Sequence, residues 1–241
     1  MEKSFKGQRV IVMGGTSGIG LAAARMLAES GAEVIVTGRD QAKLDEALQL
    51  LGPRSGGERL DAASPEELKA FFERQGRFDH LIISVSGAKG AGSFRELALS
   101  DLRAGFEAKF WPQITSAQLS LETLSPTGSI TFITAISARS ISPGISGLAA
   151  INAALEAMVP NLALELAPIR VNAVSPGVVN TSWWNWMPEE QRSAALNHYA
   201  SQAPVGRVGE PEDIAKAICY VVDNTFVTGT VLEADGGLRL K

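Results

Sequence analysis

The sequence predicts a single α/β domain built on a doubly wound parallel sheet. Three observations lead there. Short apolar runs alternate with helix-patterned stretches from one end of the chain to the other. The first apolar run, Val10 to Met13, breaks at a glycine cluster that leads straight into an Ala/Leu-rich helical pattern ending at Gly31. At 241 residues, 45% hydrophobic and 20% charged, the chain is long enough to bury one substantial core. Apolar strands separated by helices cover a parallel sheet on both faces.

The elements follow in order. After the first strand–turn–helix unit, EVIVTG (33–38) reads as a buried strand and AKLDEALQLL (42–51) as a helix. A Gly-, Pro- and Ser-rich loop (52–57) leads to a short segment ending at Asp61. SPEELKAFFERQG then opens a helix with Ser64 as N-cap, Pro65 at the first position and Glu67 at the third. HLIISVSG (80–87), SITFITAIS (129–137) and IRVNAVSPG (169–177) read as further strands, and TGTVLEADGG (228–237) as the last one. Helical patterns fill 100–123, 147–166 and 211–222, the second carrying Pro160, where a kink is expected. No repeat, low-complexity tract or linker divides residues 1–241.

Composition narrows the function. A formal net charge of −4 argues against nucleic acid or an anionic membrane as partner. No apolar run reaches the roughly 20 residues that span a bilayer, and MEKSFKGQ lacks the apolar core of a signal peptide. The single Cys219 has no internal disulfide partner and reads as an inert, buried thiol. A cytoplasmic protein with no metal site is the expectation.

The glycine cluster carries the chemistry. In GGTSGIG, Gly14 permits a tight turn, Gly18 lets a phosphate approach the backbone, and Gly20 lets the helix pack against the strand. Free N–H groups at the helix start, following Thr16, Ser17 and Ile19, then face a pyrophosphate.

Four phrases together resemble the short-chain dehydrogenase/reductase family: GGTSGIG, APIRVNAVSPG (167–177), PVGRVGEPEDIA (204–215) and TGTVLEADGG. The resemblance implies a Rossmann-type sheet of about seven strands and a homodimer or homotetramer formed through helices 100–123 and 147–166. It places Asp61 beside the adenine, Ser86 and Gly87 on the adenosine side of the pocket, and Pro176, Gly177, Val179 and Thr181 along the nicotinamide. The family's NNAG turn is altered here to SVSG (84–87).

Cofactor choice is read at the end of the second strand. An acid there would bind the ribose diol of NAD, and a basic residue accommodates the 2′-phosphate of NADP. The chain has Thr37, Gly38 and Arg39, and a guanidinium suits phosphate. NADP(H) is therefore expected over NAD(H); the alternative is a solvated Arg39 with Asp40 serving NAD.

The family's catalytic Ser, Tyr and Lys fall on Ala135, Leu148 and Asn152, and its helical Asn on Lys109. The amide and ammonium thus look exchanged, with Asn152 and Lys109 as the candidate catalytic pair. The alternative for Lys109 is a surface or interface lysine. Thr134, Ser137, Ser146, His198 and Tyr199 are the remaining hydroxyls and rings within reach, while His80 reads as structural. After Thr181, residues 182–203 form an expected substrate lid, with Trp183, Trp184, Trp186 and Met187 covering an apolar ligand or packing on the body or a neighbouring subunit.

Three functions are consistent with these residues. The first is an NADP-dependent oxidoreductase with substituted catalytic groups acting on a small apolar substrate. The second is a catalytically silent dinucleotide-binding sensor or partner subunit. The third is a non-redox enzyme, such as a lyase or isomerase, reusing the pocket.

Overall fold

A computed structural model of the chain describes residues 5–240. Seven parallel strands form one sheet in the order β3-β2-β1-β4-β5-β6-β7. They are β1 (Arg9–Met13), β2 (Glu33–Gly38), β3 (Gly56–Arg59), β4 (Phe78–Ile83), β5 (Leu124–Ile133), β6 (Arg170–Pro176) and β7 (Val231–Ala234). Helices α1 (Gly18–Glu29), α2 (Gln41–Leu51), α3 (Pro65–Gln75), α4 (Leu99–Gly105), α5 (Trp111–Ser120), α6 (Ser146–Glu165), α7 (Glu189–Gln202) and α8 (Pro211–Asp223) connect them. The doubly wound expectation holds, and the strand order reverses between β1 and β4. A crevice opens at the carboxyl ends of the strands on either side of such a reversal.

Strand alternation builds two cores. Val10 and Val12 of β1 join Val34, Val36 and Ile82 under α1, α2 and α8, while Ile11 and Met13 join Ile35, Leu81, Phe71 and Phe72 on the opposite face. Every one of these side chains is buried. Arg170, at the start of β6, donates to the carbonyls of Val221, Val222 and Asn224 at the end of α8, satisfying orphan acceptors there, and to that of Val227 in the loop beyond.

Several sequence expectations need correcting. β3 begins at Gly56, inside the expected loop 52–57, because pairing with Ile35 to Gly38 of β2 supplies the backbone partners that two glycines would otherwise not seek. β4 ends at Ile83 and β7 covers only Val231–Ala234, so the glycine-bearing ends of both segments are loop. The stretch 100–123 divides into α4, a π-helical turn (Phe106–Phe110) and α5. Pro112 has no N–H to give to the preceding turn, and the hydrogen-bond ladder slips by one residue so that Trp111 donates to the carbonyl of Phe106. α6 runs unbroken through Pro160. It is also, by length and composition, apolar enough to cross a membrane, contrary to the sequence reading. Its Ile151, Leu155 and Val159 are buried in the domain. Ser64 caps α3 as expected, accepting from the N–H of Glu67, but the Glu67 carboxylate reaches further back, to the N–H of Asp61.

His80 is structural. Its Nδ1 lies 2.8 Å from the Ser129 hydroxyl and its Nε2 3.0 Å from Oε1 of Gln8. Burial, aided by the Arg170 charge and opposed by Asp79, pushes its pKa down to about 4. The unfolded chain takes up a proton near pH 6.5 that the folded chain refuses until about 4. Stability from this group is therefore full above about 6.5 and is lost as pH falls towards 4, by up to about 3 kcal/mol. Urea midpoints at pH 7 and pH 4.5 should differ less for His80→Gln than for the parent chain; an equal difference contradicts the assignment.

Candidate active site

The crevice is built from backbone. Gly14 (φ +73°) and Gly18 (φ +51°) hold the left-handed conformations that let β1 turn into α1. A methyl group on Gly14 would sit 2.9 Å from the carbonyl oxygen of Ser84, so the turn lies against the segment leaving β4. Ser17, in extended conformation before α1, makes no side-chain cap, and no acid occupies the helix's first turn. The N–H groups at the start of α1 thus stay available to an anion. Across the crevice, a methyl on Gly18 would lie 3.4 Å from Thr181, which brings the loop after β6 to the glycine turn. Within that loop Val179 is buried and bridges to Gly209, and Gly177 packs so closely on Asp235 that a Cβ would be 2.7 Å from its Cα.

At the tip of β2, Arg39 is exposed and makes no hydrogen bond or ion pair with any described residue. Asp40 is otherwise engaged: its carboxylate accepts from the N–H groups of Ala42 and Lys43 and caps α2. Asp61 similarly accepts from Ala63 in a turn after β3.

The floor of the crevice is at the end of β5. Lys109, in the π-helical turn, is 8% exposed and donates to the carbonyl of Thr134 at 3.1 Å. Burial lowers its pKa to about 8, against the opposing charge of Glu156. The lysine is therefore an inward-facing group, and the surface alternative fails within this chain. Asn152, in the second turn of α6, donates to the Ser137 hydroxyl (3.0 Å) and to the carbonyl of Leu148 (2.9 Å), while its Oδ1 is buried without a partner. Ala135 and Leu148 are half-buried beside these groups in the chain. Lys109 and Asn152 are thus anchored three residues apart on the segment leaving β5. Both keep hydrogen-bonding capacity that the protein does not use. An orphaned amide oxygen and a glycine cradle with uncapped N–H groups are what a dinucleotide carrying a diphosphate and ribose hydroxyls would satisfy.

Sequence reasoning missed the carboxylate behind this floor. Glu156, 7% exposed, accepts from the hydroxyls of Thr134 and Ser175, both at 2.9 Å, and from Arg139 at 3.0 Å. Arg139 continues to Glu233, which also pairs with Arg239. The signal available was an acid on the sheet face of a helix that is otherwise apolar.

Of the other candidates, Thr134 is committed to Glu156. Ser137 accepts from Asn152. Ser146, on the exposed rim, joins Ser93, Phe94, Ser142, Pro143 and Gly144 around an open groove of about 530 Å³. The expected lid loop 182–203 is mostly helix: a short turn (Ser182–Trp186) and then α7, whose start carries Glu189 and Glu190 and whose Arg192 pairs back to Glu189. Trp183 donates from its indole to the carbonyl of Gly87 at 3.3 Å, and Trp184 to that of Val179 at 2.9 Å. Their rings meet edge to face, and Trp184 also faces Tyr199. These two rings are therefore seated on the body and span from the β6 loop to the β4 loop. His198 lies against Tyr199 on the exposed side of α7. Met187 is half-buried after the turn; the Trp186 side chain lies outside the described residues.

Comparison with known proteins agrees with the fold. Residues 14–239 match the family model described as Enoyl-(Acyl carrier protein) reductase. A short-chain dehydrogenase/reductase of Stachybotrys chlorohalonatus is 31% identical, over 99% of each chain. The chain belongs to the short-chain dehydrogenase/reductase family. Among solved structures, a small-chain dehydrogenase in complex with NADPH is 34% identical with a TM-score of 0.85, over 97% of this chain and 99% of that one. The MalC reductase/Diels-Alderase of Malbranchea aurantiaca is 25% identical with a TM-score of 0.90, over 99% of each.

Glu156→Gln leaves Arg139 without its buried partner and removes the charge opposite Lys109. Because Arg139 is half-exposed and keeps Glu233, a loss of about 1 to 2 kcal/mol of stability at pH 7 is expected, chiefly from the uncompensated Lys109 ammonium, measured by urea unfolding; no measurable loss would show that Glu156 is not a structural hub.

Proposed function

We propose that this short-chain dehydrogenase/reductase binds NADP(H) and transfers hydride to or from a small, apolar organic substrate at an active site that departs from the family's Ser–Tyr–Lys pattern. The observation that carries the reading is that Lys109 and Asn152 are anchored to Thr134 and Ser137, just beyond β5, each with unused polar capacity. NADPH in the 34% identical relative supports the cofactor, and the unpartnered Arg39 beside a committed Asp40 supports the phosphorylated form.

The residue roles follow from position. Gly14, Thr16, Ser17, Gly18, Ile19 and Gly20 frame the pyrophosphate at the start of α1. Arg39 faces the 2′-phosphate, Asp61 the adenine, and Ser86 and Gly87 the adenosine side. Pro176, Gly177, Val179 and Thr181 line the nicotinamide. When bound, the cofactor supplies or accepts the hydride. Lys109 and Asn152 hold the ribose hydroxyls between an ammonium donor and an amide acceptor. Lys109, with its pKa at about 8, stays protonated at neutral pH yet releases its proton more readily than an exposed lysine. The Ser137 hydroxyl, fixed by Asn152, orients the substrate atom that Ala135 and Leu148 cannot touch. Without a phenol at position 148, activated C=C and C=N bonds suit this site better than simple ketones, because they demand less from a protein acid.

The apolar substrate is supported by the rim. Phe94, 76% exposed, lines the groove that Ser146 also lines, and the Trp183 indole reaches from the loop after β6 to the carbonyl of Gly87 beyond β4. The inert side chains at 135 and 148 favour, as a second reading, a dinucleotide-binding protein that does not turn over.

Titration of the purified chain with NADPH and NADH, following energy transfer from tryptophan to nicotinamide, tests the reading. NADPH should bind in the micromolar range and NADH at least tenfold more weakly. A screen of enones, imines and ketones then separates the enzyme from the silent binder. Lys109→Met should weaken NADPH binding tenfold or more while lowering Tm by only a few degrees, because Glu156 then keeps Arg139 as its counter-charge. Unaltered binding and turnover in this variant would exclude Lys109 from the site.

A further inference from the structure

We infer that Arg59, on β3, is a second guanidinium for the 2′-phosphate and fixes cofactor choice together with Arg39; this rests on the NADP(H) reading above. β2 and β3 pair in parallel with Arg59 opposite Gly38, and the N–H of Leu60 donates to the carbonyl of Gly38 at 2.9 Å. Neighbouring parallel strands lie about 4.8 Å apart, and paired residues share a face. The face is identifiable. Two residues before Arg59, a Cβ on Gly57 would meet Leu44 of α2 at 2.7 Å, so this side of β3 is the α2 side. Glu58 points the other way and pairs with Arg74 of α3. Arg59 therefore leaves the sheet edge on the same side as the α-carbon of Gly38. There Thr16 of the glycine turn stands so close that a Cβ on Gly38 would lie 2.6 Å from its hydroxyl. Arg39 follows directly, and the three residues bound one patch at the carboxyl tips of β2 and β3.

The charge on that patch is uncompensated. Arg59 and Arg39 are both exposed, and neither makes a hydrogen bond or ion pair with a described residue. The carboxylates around them are engaged elsewhere: Asp40 with the N–H groups of Ala42 and Lys43, Glu58 with Arg74, Asp61 with Ala63, and Glu67 with the N–H of Asp61. Seven of the fourteen arginines are ion-paired among the described residues, namely Arg9, Arg25, Arg74, Arg139, Arg192, Arg207 and Arg239, and neither arginine of this patch is one of them. Two neighbouring guanidiniums left open repel one another. A phosphate dianion between them relieves the repulsion and offers each a planar, two-oxygen face. A diol in its place relieves nothing.

Calorimetric titration of the full chain with 2′,5′-ADP and with 5′-AMP isolates this contact, since the two probes differ only in the 2′-phosphate. Arg59→Ala should weaken 2′,5′-ADP about tenfold at low salt and change 5′-AMP less than twofold, with Arg59→Lys intermediate. Equal weakening of both probes would overturn the inference in favour of a structural arginine, and so would no weakening of either. If the parent chain discriminates between the probes and Arg39→Ala alone removes the discrimination, Arg59 is excluded while the NADP(H) reading stands. If the parent chain binds both probes equally, that reading fails and Arg59 with it.

Discussion

A methyl group on Gly20 would lie 2.2 Å from the carbonyl oxygen of Gly14, so α1 can follow β1 only because that atom is missing. The contact determines where the first helix starts and which way its N–H groups point. It also presses the turn against Ser84, at the end of β4, and leaves Gly18 within reach of Thr181 beyond β6. Three strand exits on the two sides of the topological switch are thereby brought to one crevice. A bulkier residue at Gly14 or Gly20 would force this turn apart, since its Cβ would lie 2.9 Å from the Ser84 carbonyl oxygen or 2.2 Å from that of Gly14.

The second constraint is charge held out of water. An ammonium and a carboxylate are both buried near the carboxyl end of β5, and Thr134 serves each of them: its carbonyl accepts from Lys109 and its hydroxyl donates to Glu156. Burying either charge without the other would be costly. With Arg139 on the far side of Glu156, the cluster runs from the crevice floor out to Glu233 and Arg239 near the carboxyl end of the chain. The cleft chemistry proposed for Lys109 is therefore tied to residues that never face the crevice. A buried ion cluster is weak as a source of net stability, and its value here is positional.

Much of this was legible in the sequence, and the rest was hidden for identifiable reasons. Apolar alternation and glycine placement marked six of the seven strands, because buried parallel strands and tight turns leave strong local signals. β3 escaped because GGER carries no apolar pattern and becomes a strand only through its neighbour β2. At the candidate site the glycine turn was legible, because its left-handed conformations are a backbone requirement that only glycine meets readily. Lys109 was legible as a residue but not as a direction: inward or outward depended on the ladder slip near Pro112. Glu156 was missed because its meaning lies in Thr134, Ser175 and Arg139, far from it in the chain.

That ladder slip offers a physical route by which the proposed exchange of amide and ammonium would be tolerated. A lysine is several atoms longer than an asparagine, and simply trading the two between facing helices would overfill one side and leave a gap on the other. The π-helical turn changes the geometry on one side only. It widens the helix at Phe106–Phe110, packs Ala108 so tightly on Gly87 that a Cβ there would sit 2.5 Å away, and turns Lys109 inwards to the Thr134 carbonyl. Asn152, on a regular stretch of α6, is short enough to bond back to its own helix at Leu148 and still hold Ser137. Length is thus accommodated where the helix is irregular, and the shorter group sits where it is regular. Pro112, two residues outside the cluster it enables, is the local feature that makes the arrangement possible.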